Sequence, residues 1–150
     1  MIRFLCTAAV LAHLLISLFH GYAHTRLGVG LSTWQNWYVL IVITVAPIAA
    51  LILIWTRHRR PGFLLLALSM TGSLIFGAYY HYVEISLDHV SHLPPGDAQG
   101  LFRLTALLLI VTEALILVAS VLGLRGILAK GDASISVELQ RVQQRNRVRR

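Results

Sequence analysis

Apolar positions dominate four long stretches of the chain, Phe4–Phe19, Tyr38–Trp55, Gly62–Tyr80 and Leu104–Leu124. At 1.5 Å per residue, about 20 residues cross a hydrocarbon layer of about 30 Å. The first stretch falls short of that and reaches it by borrowing His20, Gly21, Tyr22 and Ala23 as an interfacial turn. Backbone in lipid must close its own hydrogen bonds, so each stretch is expected to be helical, and each is longer than a barrel strand. The expected fold is an all-α integral membrane protein: an antiparallel four-transmembrane-helix bundle over residues 1–130, followed by a tail over 131–150. Ser69, Ser73 and Gly77 recur every four residues, as do Ala9, His13, Ser17 and Gly21, and such ridges of small residues let helices pack closely in lipid. Pro47 should kink the second helix.

Composition hardens this reading. Hydrophobic residues make up 57% of the 150 positions and charged residues 13%, against roughly 25% charged in a soluble domain. The mean hydropathy is +0.72. A soluble domain, a disordered tail protein and a disulfide scaffold are thereby excluded. Cys6 stands alone, so no internal disulfide or thiolate cluster can form.

Charge supplies orientation. Of the 13 basic residues, Arg3, Arg57, Arg59, Arg60, Arg125, Lys130, Arg141, Arg145, Arg147, Arg149 and Arg150 fall on one side of the four stretches, leaving Arg26 and Arg103 for the other. The positive-inside rule puts both termini and the Thr56–Pro61 loop in the cytoplasm of a cell whose inner membrane holds the chain. Tyr22, Trp34, Trp37, Tyr38, Tyr79, Tyr80 and Tyr82 then mark the outer interface and Trp55 the inner one. The tail from Gly131 onward reads as a solvated, partly disordered basic segment. Ile135, Leu139 and Val142 share a face there, and the charge suits anionic lipid at about 1 kcal/mol per basic residue; nucleic acid is not an expected partner. A competing reading takes the first stretch as a signal peptide cleaved after Gly21-Tyr22-Ala23, although the run is long for a signal core and contains His13.

Polar groups in so apolar a chain are the places to look for chemistry. His13 lies ten residues from Arg3 and Glu113 twelve from Arg125, about 15 Å and 18 Å along their helices. They should meet as an intramembrane hydrogen-bonded pair, serving structure or a proton relay. Alternatively, a neutral Glu113 bonds a Ser or Thr, or Glu113 meets a partner subunit.

Five of the seven histidines, His20, His24, His81, His89 and His92, gather on the outer side with Glu84, Asp88 and Asp97. His20 and His24 share a helix face. If the third helix continues as far as Pro94-Pro95-Gly96, then His81, Glu84, Asp88 and His92 align as well; the alternation Val83–Asp88 fits an extended loop instead. The candidate metal ligands are therefore His20, His24, His81, Glu84, Asp88 and His92, with the three histidines and one of the two nearer carboxylates as the economical set. Imidazole and carboxylate suit copper, zinc or iron. A haem held by His20 or His24 with His81 is the less favoured version, and His58 reads as a solvated loop residue.

No phosphate-binding glycine loop, nucleophile elbow, zincin helix or CxxC is present. The expected role is a non-catalytic accessory or scaffold subunit among other membrane subunits. The alternative is a metal-binding or redox membrane protein using His20, His24 and His81.

Overall fold

The computed structural model describes the backbone of residues 1–148 and the side chains of residues 1–129 and Gln144. Among the described residues the chain is entirely helical, without strands: α1 (Ile2–Leu27), α2 (Thr33–Tyr38), a π-helical segment (Val39–Val45), α3 (Ala46–Trp55), α4 (Arg59–Tyr82) and α5 (Gln99–Val148). Four helical stretches are long and apolar enough to cross a membrane: Ile2–Leu27, Thr33–Trp55, Arg59–Tyr82 and Gln99–Ala129. Only 17% to 33% of their most apolar windows is buried within the molecule. Large side chains such as Leu18, Leu68, Ile75 and Leu115 point outward, a pattern that fits lipid as the surrounding solvent.

Each boundary has a local cause. Gly28 closes α1 in the left-handed conformation, at φ 65°, which a side chain would resist. The backbone N–H of Val29 then returns to the His24 carbonyl at 3.0 Å. Ser32 opens α2 with a capping box shared with Gln35. Pro47 is absorbed by a change of helix type: it has no N–H to offer the Ile43 carbonyl four residues earlier, and the preceding turns widen into the π segment. The Ala46 N–H reaches the Ile41 carbonyl, and Thr44 Oγ1 donates to the Val39 carbonyl at 3.0 Å.

α5 packs against both α1 and α4, and α3 packs against α4. Two apolar cores result. The first lies at the end that holds Trp55 and contains Cys6, Val10, Ile54, Phe63, Leu66 and Met70 with Ile116 and Ala119. The Arg3 guanidinium sits 4.6 Å from the Trp55 ring there, and Trp55 Nε1 donates to Thr7 Oγ1 at 3.0 Å. The second core, at the opposite end, joins Ala23, Leu27 and Val29 to Leu93, Ala98, Phe102 and Ala106.

The small-residue ridges do two different things. Ser69 and Ser73 are buried in helix contacts, as packing requires. A Cβ on Gly21 would meet nothing within 4 Å, and one on Gly77 only His81 Cδ2 at 3.9 Å, because both border a cavity. The closest backbone approach is at Gly62, where a Cβ would fall 2.7 Å from the Ile54 nitrogen.

α5 runs without interruption past Gly131 to Val148, so the tail proposed as partly disordered continues the helix backbone, and the residue-130 boundary is one of composition. The shared face of Ile135, Leu139 and Val142 lies outside the described side chains, as do Arg149 and Arg150.

Candidate metal centre

At the end of the molecule opposite Trp55, one helical turn of α1 carries His20 and His24, the last turn of α4 carries His81, and the first turns of α5 carry Phe102 and Thr105. His20 and His81 are buried, and the His24 side chain is 12% exposed. The Phe102 ring lies 4.7, 4.9 and 5.3 Å from the rings of His20, His24 and His81 and forms a common apolar backing.

The three Nε2 atoms converge. His20 Nε2 is 3.1 Å from His81 Nε2 and 3.2 Å from His24 Nε2, and one ring nitrogen from each residue falls within 4.8 Å of the others. The three Nδ1 atoms face outward onto acceptors. His24 Nδ1 meets the Val29 carbonyl at 3.1 Å, and His81 Nδ1 meets the Asp88 carbonyl at 3.2 Å. His20 Nδ1 meets Thr105 Oγ1 at 2.9 Å; that hydroxyl spends its own proton on the Leu101 carbonyl at 2.7 Å.

These partners fix the tautomer. The two carbonyls can only accept, and Thr105 Oγ1, with its hydrogen on the Leu101 carbonyl, is assigned as acceptor, so each Nδ1 is assigned the one hydrogen of a neutral imidazole. With that tautomer all three Nε2 atoms present their lone pairs toward one point. Unmade buried acceptors cost about 1–3 kcal/mol each, and the group that relieves all three at once is a cation. Two nitrogens on a tetrahedral ion at about 2.0–2.1 Å stand about 3.3–3.4 Å apart, close to the two separations from His20 Nε2.

Asp88 completes the set by a route that helix arithmetic did not foresee. α4 ends at Tyr82, so the helical alignment of His81, Glu84, Asp88 and His92 does not exist. The chain instead folds back over His81, with the Val90 N–H on the His81 carbonyl at 3.0 Å. Asp88 Oδ1 lands 3.4 Å from His24 Nε2 and 3.3 Å from His81 Nδ1. Asp88 is buried, and neither carboxylate oxygen has a hydrogen-bond partner. A buried carboxylate without a donor is costly unless a cation accompanies it.

Glu84 and His92 are not gathered in. Glu84 is half-buried outside the cluster, and His92 is exposed, its ring 3.2 Å from His89 Nδ1. A haem between His20 and His81 does not fit either. Axial histidines face each other across a porphyrin, about twice a metal–nitrogen bond of about 2.0 Å apart. The closer approach of His20 to His81, with Phe102 packed on both rings, leaves no plane for the macrocycle.

The cluster forms one wall of a 540 Å³ cavity that runs between the helices to Ser73 and Glu113. The Ser73 hydroxyl donates to Glu113 Oε1. His13 Nδ1 stands 4.0 Å from the same oxygen, and neither ring nitrogen of His13 has a hydrogen-bond partner. The expected pair is thus adjacent but not hydrogen-bonded, and the serine takes the acid's bond.

Thr105 was not singled out from the sequence, since a threonine inside an apolar helix ordinarily bonds its own backbone. Val29 contributes only a main-chain oxygen, although Gly28 signals the turn that delivers it. Thr105→Val should preserve the fold and weaken binding of a divalent ion by about 10–100-fold, as loss of a ligand's outer hydrogen bond does. A competition titration against a chelating dye reads this, and an unchanged affinity would count against the assignment. Comparison with known proteins finds no matching family model, no similar curated protein and no similar solved structure.

Proposed function

We propose that this chain is a multi-pass membrane protein that binds one divalent transition-metal ion at His20, His24 and His81, with Asp88 as fourth ligand or as the acceptor that orients His81. The convergence of three bare Nε2 atoms carries the reading. Nitrogen donors with one carboxylate favour zinc or copper, with iron following. If Asp88 orients His81 and does not ligate, the fourth position opens onto the cavity, an arrangement typical of sites that exchange or transform a ligand.

The topology belongs to the same proposal. Trp55, Arg3 and the Arg57–Arg60 loop gather at one end and the histidines at the other, which supports an antiparallel four-helix bundle with both termini cytoplasmic and the metal centre on the outer side of the cytoplasmic membrane. The basic segment beyond residue 130 then lies against anionic lipid. The accessory-subunit reading rested on small size and absent catalytic motifs. The centre gives the chain chemistry of its own, and we place metal binding ahead of it.

The test is a titration of chelator-stripped protein in detergent with zinc(II), and with cobalt(II) as a coloured stand-in. One ion per chain, with a cobalt spectrum of four-coordinate character, is the expected result. Absence of stoichiometric binding by either ion would overturn the proposal.

A further inference from the structure

The cavity beside the centre has the dimensions and the polar ends of a binding site in its own right. At 540 Å³ it holds one molecule of drug size and is too small for a two-chain lipid. Its mouth lies between α1 and α2, where Gly21, Thr25, Gly28 and Asn36 are exposed. Gly21, Thr25 and Asn36 belong to helical stretches apolar enough to cross a membrane, which favours an occupant drawn from the membrane phase. Val39, Ile43, Phe76, Leu109 and Ile110 supply apolar wall.

The strongest hydrogen-bonding groups stand at the two extremes. One extreme is the trio of bare imidazole nitrogens; the other is Ser73 with Glu113, whose Oε2 has no partner. His81 to Ser73 and Thr105 to Glu113 are each eight residues apart along one helix, or about 12 Å. A planar ring with hydroxyls at opposite positions, and a hydrogen bond of about 2.7 Å from each, spans a gap of this order.

We propose that the cavity binds a para-quinol from the membrane, one hydroxyl at the histidine centre and the other at Glu113. In the metal-free protein both ends accept hydrogen bonds, which selects a ligand that donates at both. With the ion in place the histidine end instead offers its open fourth position to a hydroxyl oxygen, and Glu113 Oε2 still accepts at the other end. An anionic head would meet Asp88, and a plain hydrocarbon would leave both ends unpaired. A flat ring suits the Phe76 side of the wall. The proposal rests on the metal reading at the histidine end only; the Glu113 end and the walls stand without an ion.

The experiment titrates the full chain in detergent, stripped of metal and then zinc-loaded, with a decyl-substituted benzoquinol and separately with its dimethyl ether. The readout is tryptophan emission, since Trp34 packs 5.9 Å from Phe76. Saturable quinol binding is expected, with the ether weaker by at least about tenfold, the loss of one good hydrogen bond. Gly21→Leu should weaken binding by a similar factor by filling the mouth, and it should leave zinc binding unchanged, since the backbone accepts a Cβ there and no Gly21 atom is a proposed ligand. Equal binding of quinol and ether, full binding by the Gly21 variant, or a copurified phospholipid that the quinol does not displace would each overturn the proposal. Zinc binding without quinol binding overturns this inference alone. Quinol binding without zinc binding overturns the metal centre and leaves the cavity assignment standing.

Discussion

Replacing His81 with alanine is expected to reduce zinc affinity by well over 100-fold, the largest effect of any single change at the centre. Loss of an outer-sphere partner alone costs about 10–100-fold, and His81 is both a converging nitrogen and the donor that holds Asp88. Its Nδ1 lies 3.2 Å from the Asp88 carbonyl and 3.3 Å from Asp88 Oδ1. The variant should therefore lose one proposed ligand and loosen another. Asp88→Asn separates the two contributions: it keeps the backbone carbonyl and the loop while removing the charge. Glu84→Ala and His92→Ala supply the contrast, since neither side chain reaches the cluster and both variants should bind as the parent does. Competition titration of the five proteins settles the order. If His92→Ala weakened binding as much as His81→Ala, the fold-back of the loop over His81 would be wrong.

The largest structural effect is expected at the other end of the molecule. Gly62→Val should lower stability by about 1–3 kcal/mol or more, the range for forcing extra atoms into packed surroundings. Even a Cβ at residue 62 would sit 2.7 Å from the Ile54 nitrogen and 3.0 Å from the Ala50 carbonyl oxygen, and backbone cannot step aside as a side chain can. Gly123 offers the comparison. Its Cβ would press on the buried Phe63 ring, a side chain that can shift where the backbone at Ile54 cannot. Thermal unfolding in detergent should rank Gly62→Val below Gly123→Ala, and Gly21→Ala, with open space around it, near the parent. A Gly62 variant as stable as the parent would mean that α3 and α4 do not meet at this face.

Much of this architecture could be read from the amino-acid sequence, for physical reasons that also mark where legibility ended. Long apolar runs have one stable form in lipid, so all four helices were foreseen. The apolar run of the first was drawn to Phe19 and extended through Ala23 only as an interfacial turn, whereas the helix continues to Leu27 before Gly28 closes it. The spacing of His20 and His24, and the register of His81 with Gly77, brought the right three residues together. Asp88 was chosen for a wrong reason: helical periodicity aligned it with His81, but a loop delivers it. What patterning could not show were the groups that aim the rings, because a threonine hydroxyl and two main-chain carbonyls leave no signature. The cavity was hidden for a related cause, since small residues read the same whether a helix or empty space lies beside them.

The π segment sets the phase of the second apolar stretch. Each residue of helix turns the chain by about 100°, so α2 and α3 are joined by a splice that fixes how one faces relative to the other. The outer portion is keyed to the cavity through Asn36, Val39 and Ile43, and the inner one to α4 through Ala50 and Ile54. Apolar substitutions at the exposed positions Leu40, Ile41 and Val45 should preserve that frame. A one-residue deletion there would rotate Asn36 out of the cavity wall and swing Trp34 off Phe76 while hydropathy stayed the same. Apart from Val39 and Ile43 in the cavity wall, these seven consecutive apolar residues are thus more tolerant in chemistry than in number.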